Sequence, residues 1–228
     1  MNKIQDLWKF AYAAYDYPTG KEDLFSDSLD FVRFDLDKNF CYIARFKERI
    51  IICFRGTKAF KSRRGFRAWR QNFEVFPMLG PNDTIHNGFY DAWNTFKKPI
   101  NQYINKILNI ESLPFPKIEV TGHSKGSTLA TLCCRHLAKN RRLPCSGIVF
   151  GTPRVGNKEF RNEFNILPIN FTRVNLGYDI VKYVPPALWT FRHVGKSYWL
   201  KQPFWHKYFM KVHNHFPSNY NKKIQLLK

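Results

Sequence analysis

Acidic side chains are scarce in this sequence: 17 Asp and Glu stand against 37 Lys and Arg, a formal net charge of +20 over 228 residues. The shortage is uneven. Residues 1–124 hold 14 acids and 19 bases, whereas residues 125–228 hold 3 acids and 18 bases. A field this positive attracts polyanions, whether nucleic acid, anionic lipid surfaces or anionic polysaccharide. Long apolar runs are missing too. None approaches the ~18 residues that span a bilayer, and Met1–Asp6 lacks the apolar stretch of a secretory signal. The expectation is a cytoplasmic protein or one peripherally associated with a membrane. Internal repeats, low-complexity tracts and Gly/Ser linkers are absent, so one domain over residues 1–228 is expected. The five cysteines, Cys41, Cys53, Cys133, Cys134 and Cys145, show no metal-ligand spacing. Their apolar settings predict reduced, buried thiols.

What the chain does have is apolar material. Hydrophobic residues make up 44% and aromatics 17%, which excludes a disordered or fibrous chain. Helical spacing appears at 4–16, through Ile4, Leu7, Trp8, Ala11, Tyr12 and Tyr15. It recurs at 87–108, with Pro99 as a kink, and at 127–139 and 157–164. Strands are predicted at 40–46, 50–54, 118–121, 148–150 and 171–174, with Lys47-Glu48-Arg49 as a hairpin turn. From about residue 85 to 175 strands and helices alternate. That alternation predicts an α/β fold: one domain with a central, mostly parallel sheet flanked by helices.

The strongest motif is Gly122-His123-Ser124-Lys125-Gly126, which fits G-x-S-x-G. A predicted strand precedes it and a predicted helix follows. In that context Ser124 sits on a sharp strand-to-helix turn, where only glycines permit the tight backbone. The helix N-terminus then offers N–H groups and a positive dipole end to a developing oxyanion. In this architecture the chain order is Ser, acid, His. Three carboxylates follow Ser124: Glu159, Glu163 and Asp179. Glu159 and Glu163 read as a solvated helix face opposite Phe160 and Phe164. Asp179 follows the strand 171–174, and a loop at a strand's end is where an α/β sheet places catalytic groups. Asp179 is therefore the expected acid. The base is open among His193, His206, His213 and His215. Phe54-Arg55-Gly56-Thr57 closes another strand; taken alone it reads as a turn.

Five motifs occur in order: Phe54-Arg55-Gly56-Thr57, His86-Asn87-Gly88-Phe89, Val120 to Gly126, Phe150-Gly151-Thr152-Pro153-Arg154-Val155-Gly156, and Asp179-Ile180-Val181 with Pro185-Pro186. Together they resemble the fungal-type, class 3 triacylglycerol lipase family, a branch of the α/β hydrolases, over about residues 40–220. The resemblance implies Ser124 as nucleophile and Asp179 as acid. It implies an oxyanion hole from Thr57 and the backbone N–H of Lys125. It implies His215 as base, because His215 to Tyr220 matches the family's His-to-Tyr spacing, with His213 as runner-up. His193 resembles a non-catalytic histidine of the family. Two departures stand out: Lys125 replaces an apolar or small residue, and Phe216 replaces a serine.

The function so implied is serine-dependent hydrolysis of a lipid ester, of lipase or phospholipase A type, at a lipid or membrane interface. It requires no cofactor and no metal. The charge favours an anionic surface. A lid is expected within 58–76, where Lys58 to Arg70 carries six basic groups and no acid, interleaved with Phe60, Phe66 and Trp69. Such a mixture suits a lipid interface. Tyr198 to Phe209 has the same character. A basic protein on an anionic surface or nucleic acid, with a vestigial hydrolase fold, is the alternative. No nucleic-acid motif or Lys/Arg-rich tail supports nucleic acid as partner. Acyl transfer to an alcohol would use the same residues.

Overall fold

Alternation along two strands explains why the sheet has two buried faces. In β2 (Asn39–Arg45) and β3 (Arg49–Phe54), Cys41, Ile43, Ile50, Ile52 and Phe54 join one apolar cluster. Their neighbours Phe40, Tyr42, Ala44, Ile51 and Cys53 join another. Successive strand side chains point to opposite faces, so both faces must be covered.

The computed structural model describes residues 2–16, 22–57, 84–110, 115–201 and 212–227. Seven strands form one sheet in the order β1 to β7. β1 (Asp30–Leu36), β2 and β3 pair antiparallel. The β1–β2 turn is Asp37-Lys38, both at positive φ, the conformation that lets a two-residue loop follow the strand twist. β3, β4 (Lys117–His123), β5 (Cys145–Phe150), β6 (Asn170–Leu176) and β7 (Lys196–Leu200) pair parallel. Parallel neighbours need crossovers. The helices α2 (Asn87–Ile110), α3 (Lys125–Asn140) and α4 (Lys158–Ile166) lie in the connections and cover the first cluster. α1 (Lys3–Asp16) and α5 (Pro217–Ile224) cover the second. This is the expected α/β architecture.

Differences from the sequence expectation are local. α2, which holds Pro99 inside it, ends at Ile110 rather than at residue 108. Arg49 opens β3 rather than ending the turn. β1 and β7 were not expected. β1 is an edge strand whose inward row, Val32, Phe34 and Leu36, alternates with the exposed Arg33 and Asp35. β7 is the other edge, and only Leu200 of it is buried. All five cysteines are free and buried. Among the described residues no helix is long and apolar enough to cross a membrane. The lid expected within 58–76, His206 and most of the aromatic stretch after Leu200 lie outside the described residues.

Candidate active site

Strand β4 ends at His123, and α3 begins at Lys125. Ser124 is therefore the whole turn between them. Its φ of 58° and ψ of −130° place it in a backbone region that costs a serine roughly 1–3 kcal/mol. Serine at a helix N-cap normally accepts a hydrogen bond from the first turn. Ser124 makes no such bond, and its buried Oγ has no hydrogen-bond partner among the described residues. The hydroxyl is held at the positive end of α3 without being spent on capping. The turn closes because Gly126 lacks a side chain: a Cβ there would lie 2.1 Å from the carbonyl oxygen of Phe54.

Asp179 and His215 come from loops far apart in sequence. Asp179 follows β6 and caps the short turn Ile180–Tyr183, its Oδ1 accepting the N–H of Val181 at 2.9 Å. Its Oδ2 lies 2.8 Å from Nδ1 of His215 and accepts the hydroxyl of Tyr220 at 2.7 Å. Asp179 and His215 are both fully buried. Three donors on two oxygens satisfy a buried, acceptor-only carboxylate. Gly151 makes room for the pair. A Cβ at Gly151 would lie 2.9 Å from Cε1 of His215 and 3.0 Å from Oδ2 of Asp179.

His123 ties this pair to the elbow. Its ring stacks on that of His215, centroids 4.7 Å apart and planes 26° apart. Since His123 precedes Ser124, the stack places the His215 ring beside the neighbour of the nucleophile, with no hydrogen bond formed between Ser124 Oγ and His215 Nε2. Burial, and then the neighbouring His215, hold the His123 imidazole far below the usual histidine range, so it stays neutral.

The other described candidates lie elsewhere. Nε2 of His193 faces the carbonyl of Lys182 at 2.8 Å, and burial, then Arg173, depress its pKa to about 3. His213 is exposed, and Asn219 Nδ2 donates to its carbonyl. Glu163 pairs with Arg135 and with Lys139 between α3 and α4, and Glu159 is exposed. Thr57 is half-buried. It follows Gly56, where a Cβ would stand 3.1 Å from Cβ of Ser124. The loop bearing Thr57 thus lies beside the nucleophile. Lys125 is half-buried at the first position of α3, and burial lowers its pKa.

Two residues of this site carry no functional signal of their own in the sequence: Tyr220 enters only as the end of the His-to-Tyr spacing, and His123 is the variable position of the elbow. Among the described residues no group of three or more His, Cys, Asp or Glu could hold a metal ion.

Comparison with known proteins gives this geometry a family. The model of the class 3 lipases matches residues 51–189. A lipase of Rhizomucor miehei is 30% identical over 162 residues, which is 68% of this chain and 42% of that protein. A phospholipase A1-II of Oryza sativa subsp. indica is 30% identical over 117 residues, 47% of this chain and 24% of that protein. The chain thus spans less than half the length of either relative. The solved Rhizomucor miehei triacylglyceride lipase superposes with a TM-score of 0.74 at 24% identity, covering 88% of this chain and 80% of that one. With the family match covering more than half of its residues, the chain belongs to the class 3 lipases.

Proposed function

We propose that this protein hydrolyses lipid esters through Ser124, as a lipase or phospholipase A1-type enzyme working at a lipid surface. The observation that carries this is the buried pair of Asp179 and His215, 2.8 Å apart, stacked against the residue that precedes a strained serine. In the proposed reaction His215 takes the proton of Ser124 as its oxygen attacks the ester carbonyl. Asp179 fixes the imidazole tautomer and stabilises the imidazolium. Thr57 and the backbone N–H of Lys125 receive the oxyanion. A donor of this kind is worth roughly 3–4 kcal/mol in comparable sites. His215 then returns the proton to the departing alcohol, and water repeats the cycle on the acyl-enzyme. Every step uses side chains and backbone of this chain, so no metal or organic cofactor is invoked.

The net charge of +20 favours an ester presented in an anionic surface, because cations near such a surface each contribute on the order of 1 kcal/mol. The relatives include both a lipase and a phospholipase A1, so the head group is the open variable. A panel of di- and triacylglycerols, phosphatidylcholine and phosphatidylglycerol, presented in neutral and anionic vesicles, tests both parts. We expect ester turnover, with binding and rate rising with anionic lipid and falling with salt. Equal rates on neutral and anionic vesicles would remove the electrostatic preference. Vesicle binding without turnover of any ester would favour the binding-protein alternative.

A further inference from the structure

The family match begins at residue 51, yet the first helix of the chain reaches the elbow. Tyr15, one residue from the end of α1, points its hydroxyl between two strand ends. That oxygen is 2.7 Å from Nδ1 of His123 at the end of β4. It also lies against Gly56, just past β3, where an added Cβ would be 2.1 Å away. Tyr15 and the neutral His123 imidazole thus share one hydrogen bond. On its other side the His123 ring stacks on that of His215. One chain of contacts therefore runs from the loop that precedes Thr57, through Tyr15 and His123, to His215.

The rest of α1 holds the other end of the site. Trp8 stacks on Tyr220, centroids 5.7 Å apart, and its Nε1 donates to Asn221 at 3.0 Å. Gln5 donates to the carbonyls of Ile224 and Leu227. These contacts fix α5, whose Tyr220 donates to Asp179. Burial raises the pKa of Tyr15 and lowers that of His123, so both groups stay neutral.

We propose that Tyr15 is a positioning residue of the active site, and that α1 serves as a strap aligning the oxyanion loop, the nucleophile's turn and the histidine base. The assignment rests on the hydrolase function proposed above. A misplacement of an ångström far from the chemistry can cost about 100-fold in rate, so the effect should fall on kcat.

The test is turnover of a soluble short-chain ester by full-length Tyr15→Phe, with rates normalised to sites titrated by a fluorophosphonate. The ring and its packing remain; only the hydroxyl is lost. We expect kcat per titrated site to fall about 10- to 100-fold with KM changed less than about twofold. His123→Leu should fall similarly. His123→Asn, whose side-chain amide can hydrogen-bond to the Tyr15 hydroxyl in place of Nδ1, should recover part of the loss. Tyr15→Phe added to His123→Leu should cost little more, because both interrupt one chain. A Tyr15→Phe enzyme with wild-type kcat per titrated site would overturn the inference and leave the hydrolase assignment standing. So would a loss that only tracks the fraction of titratable sites. A wild-type protein that neither labels nor turns over ester would sink both.

Discussion

The two faces of strand β4 differ in kind. Ile118 and Val120 point into the cluster under α2, α3 and α4, and packing is all they do. Glu119, Thr121 and His123 point the other way, toward α1, and all three are buried. Each has a partner. Lys3 and Arg49 pair with Glu119, the carbonyl of Ile148 accepts from Thr121, and Tyr15 meets His123. A buried polar group without a partner is costly, so this face is specified bond by bond. The opposite face is specified by volume. The face that needs partners is also the one that carries His215, Tyr220 and the strap.

The largest contrast should come from the polar side. Asp179→Asn should lower kcat about 10,000-fold, and His215→Ala by at least about 1,000-fold. Ester kinetics on purified, folded variants checks this. His213→Ala and Glu159→Gln should stay near wild type; a dead His213→Ala beside an active His215→Ala would transfer the base.

The packing side predicts the converse. Ile118→Ala, at a residue 1% exposed, should cost about 2–5 kcal/mol of stability by leaving a cavity. Its kcat per folded molecule should be unchanged. Denaturant titration read beside activity separates the two. A kcat loss in the folded state would blur the distinction between the faces.

The smallest effect belongs to the surface. Burial raises the Glu163 pKa, but hydrogen bonds from Arg135 and Lys139 outweigh it and leave the carboxyl below its ordinary value. A depressed folded pKa stabilises the protein above the unfolded pKa, and that stability is lost as pH falls through the folded one. Glu163→Gln should therefore cost less than about 1 kcal/mol at neutral pH, leave turnover unchanged, and converge with wild type in Tm as the pH is lowered through the carboxylate range. A gap that widens in acid would contradict the sign.

These differences also explain what was legible in the sequence. Gly122, Ser124 and Gly126 could be read because a tight turn restricts residue types locally. Asp179 emerged because so few carboxylates follow Ser124. His215 could not be separated from His193, His206 and His213 by pattern, since its place depends on a long-range meeting with Asp179; only the family resemblance singled it out. Tyr15 and His123 were hidden for the same reason, being 108 residues apart. The edge strand β7 escaped because four of its five residues are exposed and offer no buried apolar row, whereas β1 does carry the alternating signal, Val32, Phe34 and Leu36 against Arg33 and Asp35.

Ser124 is the nucleophile in the proposed reaction. Incubating the protein with a p-nitrophenyl phosphonate ester and mapping the adduct by peptide mass spectrometry tests it directly. We expect one adduct, on Ser124, and a folded Ser124→Ala protein that takes no label and retains less than about a thousandth of the ester turnover. An adduct on another residue, or a Ser124→Ala protein that still turns over ester at the wild-type rate, would contradict it.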